Sequence, residues 1–319
     1  MKRQFDVVGL GEAMVEFNQT EPGNPLYLQG FGGDTSNATI AAARAGARTA
    51  YLTRLGTDTF GDALIDLWQR EGVDIRAIGR DVSAHTAVYF VRHGPNGHEF
   101  SYLRAHSAAS HMTPEWLAGK PAEAIVNAQI LHVSGISLAI SEAARKTAFA
   151  AMQVARNAQT LVSFDANLRL KLWPLKQAQE NIARAIAMSD LFLPSLDDMV
   201  VLTGLTGAED ILNWCYAQGA KTVVLKLGDK GAWVSSRDRR ELIGGHAVDV
   251  IDATGAGDCF CGNLLARIAA QDDIFSAARY ANAAAALAVQ GYGAVTPLPA
   301  SGKVLKLMQS QARIGTKTG

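Results

Sequence analysis

Three cysteines in 319 residues are too few for a disulfide framework. Cys215 stands alone, and Cys259-Phe260-Cys261 has no partner ligands at zinc spacing. All three are expected to be small, buried apolar side chains. An excess of one charge is also missing: thirty Lys and Arg face thirty Asp and Glu. That balance argues against a nucleic-acid partner or docking on a polyanionic surface. No apolar run approaches the length that spans a bilayer, which leaves no membrane partner. The opening Met1-Lys2-Arg3-Gln4-Phe5-Asp6 leads into a short apolar stretch interrupted by Gly9, Gly11 and Glu12, too short for a secretion signal. A soluble, cytoplasmic protein is expected. Two common nucleotide motifs are absent as well. Gly9-Leu10-Gly11-Glu12-Ala13-Met14 puts Met14 where the dinucleotide fingerprint requires its third glycine, and Gly56-x4-Gly61 is followed by Asp62 where a P-loop has lysine.

What the chain does have is alternation. Short β-branched runs, expected as strands over Asp6–Leu10, Ala50–Arg54, Ile130–Ser134, Thr160–Asp165, Leu191–Pro194 and Thr222–Leu227, alternate with longer amphipathic segments. The latter are expected as helices over Ser36–Ala45, Phe60–Glu71, Ser141–Asn157, Pro174–Met188 and Ala208–Ala217, with Gly46, Gly72 and Gly219 as C-terminal stops. Near-continuous apolar strands between helices predict an α/β fold: a mostly parallel sheet covered on both faces. Ala281–Ala288 predicts a helix packed closely on that sheet. Two stretches break the alternation, Ala13–Gly32 and Thr86–Ala109; the second reads as a hairpin around His93-Gly94-Pro95-Asn96-Gly97-His98. Together they predict a small β-lid of residues 13–34 and 86–109, with residues 1–12, 35–85 and 110–319 forming the α/β body. Ser310–Gly319 reads as a frayed tail.

Asp252-Ala253-Thr254-Gly255-Ala256-Gly257-Asp258 runs into the apolar stretch Cys259–Ala266, so a glycine-rich turn opens a helix. Converging backbone N–H groups and the helix dipole make such a turn an anion site. Asp258 is then either a base beside that site or a capping carboxylate. Lys226-Leu227-Gly228-Asp229-Lys230-Gly231 ends a strand with glycines, either a plain turn or a backbone surface for a ligand. His93, His98, His106 and His111 cluster in sequence, but turn residues set their spacing, and no metal site is expected from them. His132, at a strand end, reads as a hydrogen-bonded core histidine.

The Asp252–Asp258 segment closely resembles the D-T-x-G-A-G-D signature of ribokinase-like (phosphofructokinase-B) carbohydrate kinases, with Ala253 in place of the usual Thr. Gly32-Gly33-Asp34-Thr35-Ser36-Asn37-Ala38 with Ala41-Arg44-Ala45-Gly46, then Arg54-Leu55-Gly56-Thr57-Asp58-Thr59-Phe60-Gly61, resembles the family's other signature. The resemblance covers nearly the whole chain. It implies that Asp258 deprotonates a sugar hydroxyl while the amides of Gly255, Ala256 and Gly257 stabilise the phosphoryl group. It also implies that Gly33, Asp34 and Asn37 bind the sugar, and that Lys226, Gly228, Gly231, Thr254, Gly257 and Asn282 bind ATP. The family's N-x-x-E motif, which organises Mg²⁺ and phosphate, is replaced by Ser195-Leu196-Asp197-Asp198, which leaves Asp198 to hold Mg²⁺ through water.

The substrate reading rests on two further segments. Phe164-Asp165-Ala166-Asn167-Leu168-Arg169-x-x-Leu172-Trp173 resembles a segment of sugar-acid kinases and some fructokinases. Tyr102-Leu103-Arg104-Ala105-x-Ser107-Ala108 resembles the Y-x-R-x-x-S-A segment of 2-keto-3-deoxygluconate kinases, with Tyr89 matching their other lid tyrosine. Two guanidinium groups, Arg104 and Arg169, with two phenols and Asn167, suit a polyhydroxylated carboxylate. The expected activity is ATP-dependent phosphorylation of 2-keto-3-deoxygluconate at its C6 hydroxyl, giving the 6-phosphate and ADP. A fructokinase or other ribokinase-like sugar kinase is the alternative, and a catalytically silent sugar-binding protein on the same fold is the reading from a different class. An exposed lid edge suggests a homo-oligomer through the lid.

Overall fold

The structure is a computed structural model and describes residues 3–94 and 97–315. Its strands are β1 Phe5–Leu10, β2 Met14–Gln19, β3 Tyr27–Gly32, β4 Thr49–Leu52, β5 Arg54–Gly56, β6 Gly79–Asp81, β7 Val88–Gly94, β8 Gly97–Leu103, β9 Ala128–Ser134, β10 Leu161–Asp165, β11 Leu191–Phe192, β12 Val223–Lys226, β13 Ala232–Ser235 and β14 Arg240–Ile243. The central sheet runs β14-β13-β12-β11-β10-β9-β1-β4. From β12 to β4 every pairing is parallel, and β13 and β14 finish one edge as an antiparallel hairpin.

The two-residue period of a strand explains how both faces are covered. Val8, Leu10, Leu131, Val133, Val223 and Leu225 point into one apolar core, against the helices Glu142–Asn157, Leu175–Met188 and Ala208–Ala217. Val7, Ile130 and Val224 point into the opposite core, against the helices Asp34–Arg44, Ala256–Ala269 and Ile274–Ala288. The alanine-rich helix Ile274–Ala288 lies on the helix Ala256–Ala269 and on the edge strands β13 and β14. The expected stops Gly46, Gly72 and Gly219 have left-handed φ values of 98°, 70° and 92°, which an L side chain adopts only with strain.

A separate four-stranded sheet, β3-β2-β7-β8, is built from the two stretches that broke the alternation. Gly94 pairs with Gly97 in the β7–β8 hairpin; the connecting Pro95 and Asn96 lie outside the described residues. Several boundaries differ from expectation. The strand expected over Ala50–Arg54 divides, because the chain leaves the main sheet after Leu52 and Arg54–Gly56 pairs with β6. The strand expected over Leu191–Pro194 stops at Phe192, and Pro194, lacking an N–H, only accepts, from Lys226. The expected frayed tail is helical from Ser301 through Gly315, and residues 316–319 lie outside the described residues.

Candidate active site

Because six strands run parallel, their C-terminal ends share one edge, and the side chains just there converge. Asp165 closes β10 and Lys226 closes β12. Lys226 Nζ donates to Asp165 Oδ2 at 2.7 Å, with only 12% and 6% of the side chains exposed. Burial alone would depress the Lys226 pKa, but the adjacent carboxylate outweighs it and holds the ammonium charged. Asn167, two residues beyond Asp165, takes a positive φ of 29° and donates from Nδ2 to Asp34 Oδ2 at 2.8 Å.

Two helices aim their N-termini at this edge. Asp34 and Asn37 occupy the first turn of the helix Asp34–Arg44, and Asp258 the first turn of the helix Ala256–Ala269. Gly262 sets their spacing: a Cβ there would lie 2.1 Å from the Ala38 carbonyl oxygen and 2.8 Å from the Ala41 Cβ. At this approach Asn37 Nδ2 donates to Asp258 Oδ2 at 2.8 Å. Burial, and then the negative charges of Asp34 and Asp165, push Asp258 up to about 8, although Asn37 and Lys226 oppose the shift. A carboxylate poised near neutrality suits a general base. Capping is not its role, since the helix Ala256–Ala269 starts at Gly255, φ 75°, with no side-chain cap.

The glycine-rich turn is partly open. The N–H groups of Gly255 and Gly257 have no partner among the described residues, whereas that of Ala256, expected alongside them, donates to the Ala253 carbonyl at 3.2 Å. Lys226 Nζ lies 3.5 Å from where a Gly257 Cβ would stand, so a cation flanks the turn. Thr254 donates its N–H to Asp252. Asp198, first turn of the helix Leu196–Thr203, is held up in pKa by burial and then by Asp165, with Arg169 opposing. Gly228 and Gly231 form the β12–β13 turn. A Cβ on Gly231 would lie 2.1 Å from the Ile243 carbonyl oxygen, so close packing dictates that glycine. Asn282 is tied to the same place, donating to the carbonyls of Ile243 and Gly244 at 3.2 Å each.

The residues in and beside the small sheet depart most from expectation. Arg104, expected to meet a substrate carboxylate, is ion-paired with Glu12, which is buried just past β1; Glu12 also accepts from the Ser107 hydroxyl. The Tyr89 hydroxyl, likewise, donates to buried Glu16. Tyr102 stacks on Tyr89 with ring centroids 5.7 Å apart and stays half-exposed. Arg169 is 53% exposed, 3.8 Å from Asp198, with Nη1 donating to the Leu168 carbonyl. Glu12 and Glu16 have no role expected from the sequence, where their only signal is an acid interrupting or following an apolar strand; Asp165 stands in the segment Phe164–Trp173 without an expected role of its own. Gly33, at φ 116°, lets the end of the lid strand pass 2.6 Å, measured from a hypothetical Cβ, from the Glu12 carbonyl oxygen.

Cys261 touches the site, its Sγ donating to Asp165 Oδ2 at 3.4 Å and accepting from Lys226 Nζ at 3.5 Å. His132 is buried, bonded to Ser163 Oγ at 3.1 Å, and burial lowers it to about 4, so it is neutral. His93 meets Asn18 and His111 meets Asp81; the side chain of His98 lies outside the described residues. All three cysteines are buried and unbridged. No helix among the described residues is long and apolar enough to cross a membrane.

A profile described as "pfkB family carbohydrate kinase" matches residues 4–301, and the chain belongs to that family. It is 34% identical to "Fructokinase-1" of Oryza sativa subsp. japonica, over 95% of this chain and 98% of the relative. The crystal structure of a fructokinase with bound ATP from Xylella fastidiosa, 28% identical, superposes with a TM-score of 0.88 over 98% of this chain and 100% of that one. A putative ribokinase II from E. coli, 24% identical, reaches 0.87 over 95% and 99%, which makes the fold ribokinase-like.

Proposed function

We propose that the protein transfers the terminal phosphoryl group of ATP to a hydroxyl of a neutral ketose, fructose in the first instance. The observation carrying the choice of sugar is the buried Glu12–Arg104 pair. It neutralises the lid arginine through Nη2 and leaves Arg104 Nε without a hydrogen-bond acceptor among the described residues. Such a donor suits a hydroxyl oxygen, whereas a second carboxylate would have to compete with Glu12. The fructokinases among the relatives support the same acceptor.

In this reading the sugar lies between Asp34, Asn37 and Asn167 below and Gly33, Tyr89 and Tyr102 above. Asp258 removes the hydroxyl proton as the oxygen attacks phosphorus, and Asn37 holds the carboxylate in place. The N–H groups of Gly255 and Gly257, with the charge of Lys226, meet the negative charge that spreads over the phosphoryl oxygens. The amide of Ala256 joins them by leaving the Ala253 carbonyl. The nucleotide extends from the turn past Thr254 towards Gly228, Gly231 and Asn282. Among the described residues no three His, Cys, Asp or Glu side chains gather to hold a metal unaided. Asp198 would hold Mg²⁺ through water, and the ion would supply positive charge to the phosphates. Residues 13–34 and 86–109 act as a lid, and the exposed Leu26, Leu28, Phe100 and Leu103 on its edges support pairing with a second copy.

A second reading, 2-keto-3-deoxygluconate phosphorylated at C6, is favoured by Arg169, whose half-exposed guanidinium has only a 3.8 Å contact with a carboxylate. Coupled-assay kcat/KM for fructose and for 2-keto-3-deoxygluconate, each with ATP and Mg²⁺, decides between them. A preference for the sugar acid overturns the ketose assignment, and ligand binding without turnover of any sugar overturns the kinase.

A further inference from the structure

Arg44 ends the helix whose first turn carries Asp34 and Asn37. It lies far from the reacting edge, yet its side chain is only 22% exposed. All three of its nitrogens are engaged. Nε and Nη2 grip the two oxygens of Glu71 at 2.8 and 2.7 Å. Nη1 donates to the carbonyls of Leu298, Val295 and Thr296 at 2.6, 3.1 and 3.4 Å. One guanidinium thus fastens the segment 295–298 to two helices.

The residues just before that segment pack against the glycine-rich turn. One residue before Val295, Ala294 lies so close to Gly255 that a Cβ there would be 3.0 Å from its Cα. One residue earlier, the Gly293 N–H donates to Asp252 Oδ2 at 2.9 Å, while Asp252 Oδ1 accepts from Thr254 at 2.9 Å. Both walls of the turn, at Asp252–Thr254 and at Gly255, are therefore braced by residues adjoining the clamp.

We propose that Arg44 is a positioning residue for phosphoryl transfer: it fixes the segment 293–298 and, through it, the direction of the Gly255 and Gly257 amides. The proposal rests on the phosphotransfer reading above. Lysine cannot replace it, because one ammonium cannot hold a bidentate carboxylate and three carbonyls at once. A cavity of about 850 Å³ opens onto Arg44, Glu71 and the segment Gly293–Thr296, which gives a small cation access to the clamp.

The test uses the full chain with ATP, Mg²⁺ and fructose, comparing wild type with Arg44→Ala, Arg44→Lys and Glu71→Gln. Because misplaced catalytic donors cost rate more than affinity, both Arg44 variants should lose about 10- to 100-fold in kcat with the sugar KM within about threefold. Circular dichroism should show them folded at the assay temperature, and added guanidinium chloride at millimolar levels should restore part of the rate to Arg44→Ala but not to Arg44→Lys. A folded variant with wild-type kcat, or a loss that only follows the unfolded fraction and ignores guanidinium, overturns the proposal. Should Arg44→Ala fail to fold, Glu71→Gln decides, since it retains Arg44 and loosens its fork: a lowered kcat supports the clamp and an unchanged one refutes it. Absence of turnover in the wild type would strike the phosphotransfer reading instead.

Discussion

Asn37 and Asp258 stand 221 residues apart in sequence, yet a 2.8 Å hydrogen bond joins them across the mouths of two helices. The bond places a neutral donor, not a cation, against the candidate base. Asp258 is thereby oriented without being locked in its charged form, which burial among Asp34 and Asp165 already disfavours.

Replacing Asp258 by Asn keeps the shape and removes the base. Phosphoryl transfer should fall by about 10²–10⁴ in kcat while ATP binding, followed by calorimetry, changes little. Turnover within a few-fold of wild type would remove Asp258 from the reaction.

The same substitution has a pH signature. Folding raises the Asp258 pKa from the ordinary carboxyl value of 3.8 to about 8. Between those limits the native state binds more protons than the unfolded one, so the stability of the wild type should fall as pH rises through that window. Asp258→Asn lacks the effect. The Tm difference between variant and wild type, without ligands, should therefore widen in favour of the variant from pH 5 to pH 8. A constant difference would mean that the carboxyl titrates normally.

Lys226 and Asp165 form a pair that is costly to break from one side. Lys226→Met leaves a buried carboxylate alone and should destabilise the fold by about 3–5 kcal/mol, whereas the double variant with Asp165→Leu should recover much of that loss. Urea denaturation of the four proteins measures the coupling. Additive effects would contradict the pairing.

The two arginines once expected to act alike should now behave differently. Arg104→Ala strands Glu12 in the interior and should cost about 3–5 kcal/mol of stability. Arg169→Ala, half-exposed beside Asp198, should cost about 0–1 kcal/mol. Equal melting temperatures for the two variants would show that the Glu12 pair is not formed in solution.

Local signals carried most of the architecture. Near-continuous apolar runs in β1, β9 and β12 marked strands buried on both faces, and glycines at 46, 72 and 219 marked helix ends, because both depend only on neighbouring residues. The turn before Asp258 was legible for the same reason. Short elements were not: β5 and β6 are three residues each, and pairing across the sheet, not propensity, creates them. Long-range charge pairing was equally hidden. Arg104 looked free because nothing within its own segment opposes it, and its partner Glu12 lies on the other side of the lid in sequence. Asp198 could be placed by position alone, while its raised pKa depends on Asp165, which another strand delivers.

The missing methyl at Gly262 gives the reaction centre a hard mechanical stop. Gly262 lies one helical turn beyond Asp258, and the Ala38 carbonyl it faces lies one residue beyond Asn37, so the seam between the helices closes directly beneath the base. Atoms already in contact there leave no slack to absorb a larger side chain elsewhere along the seam. Substitutions that widen it would move the base without touching it, and a sequence search for altered activity would do well to sample this seam as densely as the lid.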